Sequence, residues 1–166
     1  MSTILNTNGA ELQVPIPLKL NYSFDVVVAD WNPAITYALR DGALDVFGKA
    51  GIAKEKVRVW KVPGTVELVN AAAAIMNRGN TNGIIIIGCV IRGDTPHFDY
   101  VCMHTAQGAA QLNAKGTIPV TFGVLTVNNL EEARERAGGR LGNKGAEAAC
   151  VAIEMANMHT SLLSLI

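Results

Sequence analysis

The segment that decides the fold is Gly83–Ile91, GIIIIGCVI, in which no side chain is charged or strongly polar. β-branched isoleucines favour extended backbone, and a strand without polar alternation is typically buried on both faces. The run is far shorter than the ~20 residues that a membrane-spanning helix needs. This segment therefore predicts the central strand of a parallel sheet that is covered by helices on both sides.

Hydrophobic periodicity on either side of this strand predicts an alternation of strands and helices. The other predicted strands are 24–29, 56–62 and 119–127. The predicted helices are 33–50, 66–76, 98–114 and 144–162, with a short helix after Asn128 and Asn129. Asn32 and Pro33 are expected to cap and open the first helix, and a glycine-rich turn at 138–142 is expected before the last one. The repeated β-α order implies a single-domain, three-layer α/β sandwich with a four-stranded, flavodoxin-like parallel sheet.

The 166-residue chain has the length of one domain, which we place at 21–166 behind an N-terminal arm at 1–20. Pro15 and Pro17, with no periodicity around them, predict either an extended arm or an edge strand exchanged between subunits. The arm has one lysine and no continuous apolar core, so no secretory signal is predicted. The three cysteines are odd in number and widely spaced, which fits free thiols in a reducing cytoplasm better than disulfides or a metal site.

Charge and composition exclude one class of function and indicate an assembly. The chain has 14 basic and 14 acidic residues, so no basic excess is available to bind a nucleic-acid backbone. Only 17% of residues are charged, against about 25% in a typical domain, and the mean hydropathy is +0.25. We expect other subunits to cover part of the surface; the alternative is a monomer with a neutral surface rich in alanine and glycine.

Ligands of such sheets bind beyond the carboxyl ends of the strands, which here are followed by the loops 29–32, 62–67, 91–97 and 126–129. Trp31 is placed to stack on a planar ligand or to cover the sheet edge. Glu67 either holds a polar ligand at a helix start or complements the helix dipole. His97 follows an anion-binding type of loop and is suited to proton transfer near neutral pH; the alternative is a structural histidine, and its place at the predicted ligand edge favours function.

A basic, glycine-rich stretch near the C-terminus is a second candidate for phosphate binding. Arg136, Arg140 and Lys144 flank four glycines there, and arginine is a bidentate clamp for phosphate. The alternative is a tight turn between helices with solvated charges. The stretch lacks the order of a P-loop, and the chain has neither G-x-S-x-G nor zinc-ligand spacing, so those chemistries are not predicted.

Short motifs along most of the chain occur in an order that is specific for one family. They are 31–32 (WN), 62–67 (VPGTVE), 88–100 (GCVIRGDTPHFDY), 122–126 (FGVLT), 135–138 (ERAG), 142–145 (GNKG) and 152–155 (AIEM). Together they resemble the 6,7-dimethyl-8-ribityllumazine synthase family over residues 24–158. The resemblance implies a cytoplasmic transferase that condenses 5-amino-6-(D-ribitylamino)uracil with 3,4-dihydroxy-2-butanone 4-phosphate. Phosphate and water leave, in the penultimate step of riboflavin biosynthesis, and neither a metal nor a redox cofactor is implied.

The resemblance also implies roles for individual residues. The expected contacts of the pyrimidine substrate are Trp31 and Asn32 at its ring, Thr65, Val66 and Glu67 at its ribityl chain, and the backbone of Cys89, Val90 and Ile91 at its uracil edge. Asp94 and Thr95 are expected in the phosphate-side turn, and Phe122, Arg136 and Lys144 are expected to reach the site from an adjacent subunit. His97 is expected to transfer protons, and Arg136 is expected to bind the phosphate.

Two positions depart from the family pattern. Val66 stands where an aromatic residue is often found, and Asp94 places a carboxylate beside the expected phosphate. We expect the Asp94 side chain to turn away or to pair with Arg92 or Lys144. These departures leave open a catalytically weak relative that binds flavin or lumazine or only forms a shell. An electron-transfer flavodoxin is disfavoured, because the loop 29–32 lacks the hydroxyl and glycine residues that would cradle an FMN phosphate.

The resemblance implies a homo-oligomer with active sites between subunits. Members of the family form pentamers, some of which assemble into an icosahedral shell, and the short stretch 138–143 favours the shell. The implied partners are the small-molecule substrates, other copies of the chain and riboflavin synthase, without nucleic acid or membrane.

Overall fold

The computed structural model describes residues 12–19 and 21–165. Its main sheet has four parallel strands in the order β2-β1-β3-β4. The strands are β1 Phe24–Ala29, β2 Val57–Val62, β3 Gly83–Ile91 and β4 Val120–Val127. The predicted four-stranded parallel sheet is confirmed, and the isoleucine-rich segment lies inside it, between β1 and β4.

Five α-helices in the described part of the chain complete the three layers. They are α1 Pro33–Lys49, α2 Glu67–Arg78, α3 His97–Asn113, α4 Leu130–Arg136 and α5 Lys144–Leu163. Ile85 and Ile87 of β3 pack with α1 and α5, whereas Ile84 and Ile86 pack with α2 and α3. Successive side chains of one strand thus serve two cores, which explains why β3 shows no polar alternation. Within the described residues, none of the helices combines the length and the apolar character that crossing a bilayer requires.

The glycine-rich turn is more ordered than the sequence indicates. Its residues form a short antiparallel pair, β5 Ala137–Gly139 with β6 Gly142–Asn143. Gly138 and Gly142 adopt φ angles of +117° and +76°, which residues with a Cβ atom rarely adopt. The remaining differences are small: Lys56 belongs to a 3₁₀ turn before β2, α3 begins at His97, and β4 begins after Pro119.

The described part of the N-terminal arm lies on its own subunit. Residues 12–19 have no regular secondary structure, and Leu12 and Val14 pack against the core between α1 and α5. Asn157 of α5 holds the arm on two sides, accepting from the Leu18 N–H at 2.8 Å and donating to the Ile16 carbonyl at 2.9 Å. Residues 1–11 and 20 lie outside the described part, so strand exchange and the domain boundary stay predictions.

A buried charge cluster ties β1, β2 and α2 together at the amino ends of the strands. The carboxylate of Asp25 is fully buried and accepts hydrogen bonds from Arg58, Arg78 and the indole N–H of Trp60 at 2.6–3.0 Å. Burial alone raises the pKa of Asp25, but these hydrogen bonds outweigh it and hold the pKa below its usual value of 3.8. Trp60 of β2 is therefore a hydrogen-bond donor to a buried charge.

Candidate active site

A cavity of about 620 Å³ opens at the carboxyl ends of β1, β2 and β3. It is lined by ten of the residues that the sequence analysis selects, and three separate segments of the chain contribute them. These are Trp31, Asn32, Thr65, Val66, Glu67, Cys89, Val90, Ile91, Thr95 and His97. The prediction that ligand-binding residues gather beyond the carboxyl ends of the strands agrees with this geometry.

The loop that carries Trp31 is held as an extension of the β1–β2 ladder. The backbone N–H of Asp30 donates to the Val62 carbonyl at 2.8 Å, and that of Trp31 donates to the Pro63 carbonyl at 3.2 Å. The indole itself is 72% exposed. A large apolar ring on a fixed backbone is thereby presented to the cavity, as a stacking surface requires.

Asn32 begins α1 as predicted but does not cap it. Its backbone lies in the left-handed region at φ 58° and ψ 51°, and its side chain makes no capping bond. Instead, its Nδ2 donates to the carbonyl of Cys89 at 2.9 Å. Strand pairing between β1 and β3 ends at Val28 and Ile87. The Asn32 hydrogen bond therefore links the segments that follow these two paired positions, beyond the end of the ladder. The expectation of a side-chain cap is wrong because the amide has a long-range partner.

Cys89 contributes its main chain to the cavity more than its thiol. The side chain is buried, and burial raises its pKa to about 11. A thiol with that pKa stays protonated near neutral pH and is a poor nucleophile. Beyond Cys89, Val90 and Ile91 are half-buried and continue β3 into the cavity wall.

The N-terminus of α2 is open to the cavity and packed closely on β3. No side chain caps this helix, so its first N–H groups are available to polar ligand groups. A Cβ at Gly88 would lie 2.8 Å from Thr65 Oγ1, so only glycine allows Thr65 to approach β3 this closely. Glu67 stands in the first turn, and Val66 beside it is 36% exposed. The segment thus combines hydrogen-bond donors with one carboxylate.

His97 opens α3 and is exposed at the cavity rim. Arg92, which precedes it, pairs with Asp99 at 2.9 Å, and its guanidinium lies 4.1 Å from the centre of the Phe98 ring. Arg92 is therefore bound to the first turn of α3, and the expected pairing with Asp94 is wrong.

Asp94 is the selected residue of this loop that does not line the cavity. Its neighbours Gly93 and Thr95 form the wall on either side of it. The second expected partner of Asp94, Lys144, pairs instead with Glu147 at 2.6 Å. The expectation that the Asp94 side chain turns away from the site agrees with this arrangement.

Phe122, Arg136 and Lys144 come together in a different cavity, of about 550 Å³, between β4 and α5. Within one chain they are not joined to Trp31 and His97. Arg136 Nη1 donates to the Glu132 carbonyl at 2.8 Å, which leaves most of its guanidinium donors for other partners. Arg140 pairs with Glu135 at 3.0 Å and lines neither of the two cavities.

The short helix α4 places Arg136 through reciprocal caps. Asn129 Oδ1 accepts from the Glu132 N–H at 2.9 Å, and Glu132 Oε2 accepts from the Asn128 N–H at 2.9 Å. The hydrogen bond from the Asn128 backbone lowers the pKa of Glu132. The cap predicted at Asn128 and Asn129 is confirmed for the side chain of Asn129.

Five residues of the first cavity are not among the site residues selected from the sequence, although all but Val101 lie within the quoted motifs. They are Pro63, Gly64, Gly93, Phe98 and Val101. Val101 lies four residues after His97, a spacing that puts both on one face of α3 and that helical periodicity reveals. The two glycines carry no side-chain signal. Gly64 leaves room for Glu67, because a Cβ there would lie 3.1 Å from a Glu67 oxygen, whereas a Cβ at Gly93 would meet no atom within 4 Å.

These features define a flavodoxin-like α/β protein with a small-molecule site at the carboxyl edge of its sheet and a cationic groove on another face. A family model described as 6,7-dimethyl-8-ribityllumazine synthase matches residues 21–160. A protein of that name from Bacteroides fragilis is 53% identical over 139 residues, covering 84% of this chain and 97% of that protein.

Two further relatives with the same name span similar or greater lengths. The protein from Phocaeicola vulgatus is 48% identical over 147 residues, covering 89% of this chain and 88% of that protein. The protein from Pediococcus pentosaceus is 38% identical over 163 residues, covering 98% of both. The chain belongs to the 6,7-dimethyl-8-ribityllumazine synthase family. Membership supports a transferase of riboflavin biosynthesis and gives no support to a catalytically weak relative.

Proposed function

We propose that this chain condenses 5-amino-6-(D-ribitylamino)uracil with 3,4-dihydroxy-2-butanone 4-phosphate in a site that two adjacent copies complete. The product is 6,7-dimethyl-8-ribityllumazine, and phosphate and water are released. The observation that carries the proposal is the single cavity that holds an indole, an open helix N-terminus with a carboxylate, and an imidazole. Family membership implies small-molecule substrates and an oligomeric assembly in general.

The pyrimidine substrate occupies the cavity between Trp31 and the end of β3. The indole stacks on the ring, and the main chain of Cys89, Val90 and Ile91 reads the uracil edge. The ribityl chain extends along α2, where free N–H groups and Glu67 bind its hydroxyls. Val66, smaller than an aromatic side chain, leaves this part of the cavity wider than an aromatic would.

The phosphate substrate lies between the turn at Asp94 and Thr95 and the cationic groove of an adjacent copy. Arg136 binds the phosphate bidentately, Lys144 adds a second positive charge, and Phe122 covers the reacting groups. Asp94 does not line the cavity of its own chain, whereas its neighbours Gly93 and Thr95 do, which supports a turn that offers backbone N–H groups to the phosphate without the carboxylate. A site shared between adjacent copies explains why Phe122, Arg136 and Lys144 lie apart from His97 within one chain.

Proton transfer and positioning supply the catalysis. The 5-amino group attacks the butanone carbonyl, and loss of water gives an imine. Loss of the proton at C3 then expels phosphate as the C4–O bond breaks, and the remaining enol becomes a C3 carbonyl with a new methyl group. The ribitylamino nitrogen attacks this carbonyl, and loss of a second water closes the ring. His97 moves protons in these steps, a contribution of about 10²–10⁴-fold for one general acid–base group. Binding both substrates in register removes a bimolecular entropy cost that is worth several kcal/mol. Arg136 stabilises the charge that develops on the departing phosphate.

Turnover of the two substrates, followed by lumazine absorbance, tests this function. We expect His97→Ala to lower kcat by about one to two decades, because substrate amines replace part of the lost proton transfer. Arg136→Ala is expected to raise the KM for the phosphate substrate most. Arg140→Ala is the matched control, because Arg140 is a nearby exposed arginine outside both cavities. Lack of turnover by the wild-type chain overturns the function, and unchanged kinetics of Arg136→Ala overturn the shared site.

The proposed assembly is an icosahedral shell of pentamers in the cytoplasm. Three free cysteines among the described residues support a reducing compartment, and the short hairpin of β5 and β6 supports the shell. The N-terminal segment is proposed to add a strand to a neighbouring copy, and riboflavin synthase is the proposed protein partner. Light scattering of the purified protein decides the assembly, since a particle of only five subunits contradicts the shell.

A further inference from the structure

The hydroxyl of Tyr37 lies between a carboxylate and an ammonium group beside the cavity. Tyr37 Oη donates to Asp30 Oδ1 at 2.6 Å, and Lys61 Nζ donates to Tyr37 Oη at 2.7 Å. The ammonium is also 3.7 Å from the same Asp30 oxygen. The three groups therefore form a chain of hydrogen bonds from Lys61 in β2 through Tyr37 in α1 to Asp30, the residue that follows β1.

This chain of side chains fixes the loop that carries Trp31. Asp30 immediately precedes Trp31, and Lys61 immediately precedes Val62, whose carbonyl binds the Asp30 N–H. Neither Asp30, Tyr37 nor Lys61 lines the cavity. Their effect on a ligand is consequently indirect, through the backbone on which the indole stands.

The Tyr37 ring has little freedom to leave this position. It packs against the core between α1 and α5, and the guanidinium of Arg40 lies 4.5 Å from the ring centre. The Lys61 ammonium lies 4.6 Å from the same centre. Its hydrogen bond to Tyr37 raises the pKa of Lys61 and so keeps the donor charged. Charged ends strengthen both hydrogen bonds of the chain.

We propose that Asp30, Tyr37 and Lys61 are positioning residues that hold Trp31 ready for the pyrimidine ring. The inference rests on the proposed function, in which the indole stacks on that substrate. An exposed side chain on a mobile loop loses conformational freedom when it binds, and a fixed loop lowers this cost. The network thus acts on the affinity for the pyrimidine substrate and leaves the chemical step unchanged.

Tyr37→Phe tests the proposal because it removes the hydroxyl and keeps the ring. We expect the KM for the pyrimidine substrate to rise about three- to tenfold, the range given by one lost hydrogen bond. The KM for the phosphate substrate and kcat are expected to stay within about twofold. Lys61→Met should raise the KM for the pyrimidine substrate by a similar factor. Lys61→Arg keeps a charged donor, so its KM should stay close to that of the wild type.

A spectroscopic measurement tests the same proposal without substrate. In a Trp60→Phe background the fluorescence anisotropy decay reports Trp31 alone. Tyr37→Phe is expected to increase the amplitude of fast depolarisation. Tyr22→Phe is the matched control, because it also removes a bonded tyrosine hydroxyl but at the opposite end of β1. It is expected to leave both the decay and the pyrimidine KM unchanged.

The outcomes separate this inference from the proposed function. If Tyr37→Phe changes neither the decay nor the pyrimidine KM, or changes only one of them, the positioning role is overturned. A parallel change in both KM values and kcat of Tyr37→Phe that merely follows a lower melting temperature overturns it as well. Trp31→Ala judges the stacking itself: an unchanged pyrimidine KM in that variant overturns the assigned role of Trp31, while the anisotropy still decides whether the network fixes the indole.

Discussion

Asn32 combines an unusual backbone conformation with a long-range hydrogen bond. Among the described residues it is the one non-glycine with positive φ, and its side chain binds the Cys89 carbonyl. Asparagine tolerates the left-handed region better than most residues, whereas other L-residues lose roughly 1–2 kcal/mol there. The residue therefore turns the chain sharply after Trp31 and ties that turn to β3.

Two substitutions separate these contributions. Asn32→Gly keeps the backbone conformation and loses the amide, so we expect a higher KM for the pyrimidine substrate with little change in melting temperature. Asn32→Ala loses the amide and also strains the backbone, so its free energy of unfolding should fall about 1–2 kcal/mol below that of Asn32→Gly. Urea denaturation and steady-state kinetics measure both effects. Equal stability of the two variants would show that the left-handed conformation is not the reason for the choice of residue.

The sequence identifies Asn32 as a helix start but does not reveal its hydrogen bond. Asn followed by Pro indicates a cap from local preference alone. The actual acceptor is 57 residues away in sequence, and the choice between a local and a distant partner depends on where β3 ends. The placement of Trp31 and His97 was predictable, because both follow strands of a parallel sheet and the carboxyl ends of such strands lie at the same edge. The side-chain network of Tyr37 was not, because its three members show no spacing that local periodicity detects.

At the level of elements, the buried Asp25 cluster joins two strands and a helix by charge. A hydrogen bond to a charged group is typically worth about 1.5–3 kcal/mol, and the Arg58 and Arg78 side chains that lose the carboxylate are partly exposed and keep part of their solvation. Asp25→Asn is expected to lower the free energy of unfolding in that range. Asp45→Asn is the control, since Asp45 forms an exposed pair with Lys49 and should change stability by at most about 1 kcal/mol.

The same cluster predicts how stability depends on pH. The folded-state pKa of Asp25 lies below its usual 3.8, so the unfolded chain binds the proton more readily. The stabilisation that Asp25 contributes is complete at pH values above its usual pKa of 3.8. It is lost as the pH falls through the lower, folded-state pKa. Thermal unfolding at several pH values should show a steeper acid loss for the wild type than for Asp25→Asn. Parallel profiles of the two proteins would contradict the depressed pKa.

Helix α4 is short enough that its caps determine the placement of Arg136. Asn129→Ala removes the side-chain cap, a loss of about 1 kcal/mol for the helix. Fraying of the helix should raise the KM for the phosphate substrate and leave the KM for the pyrimidine substrate unchanged. Asn128→Ala is the matched control, because its backbone N–H still donates to Glu132. Equal phosphate KM values in the two variants would contradict the role assigned to the Asn129 cap.

The prediction of elements succeeds where periodicity is long and fails where it is short. The four strands of the sheet and the four longer helices follow from hydrophobic spacing over six or more residues, whereas the short helix α4 follows from the cap at Asn128 and Asn129. The β5–β6 pair has strands of three and two residues, and its glycines carry no hydrophobic pattern. Its conformation follows instead from the positive φ angles of Gly138 and Gly142, which the sequence shows only as a turn.

For the whole molecule, the two separate cavities are the feature that no single motif reveals. The resemblance assigns Phe122, Arg136 and Lys144 to the same reaction as His97, yet within one chain they line a different face. A low charged fraction of 17% agrees with surfaces that other copies cover. Each copy would then give His97 to one interface and Arg136 to the next, as in a ring of identical subunits.

Mixed assemblies test this arrangement, because each type of variant retains the half-site that the other lacks. His97→Ala and Arg136→Ala assemblies should each have low activity. When the two chains are denatured together and reassembled at equal amounts, about a quarter of the interfaces should combine an intact His97 with an intact Arg136. Reassembly of His97→Ala with the His97→Ala/Arg136→Ala double variant is the control, since that mixture contains no intact imidazole at position 97. Activity of the first mixture that does not exceed the average of its parents would show that His97 and Arg136 act within one chain or not in one site.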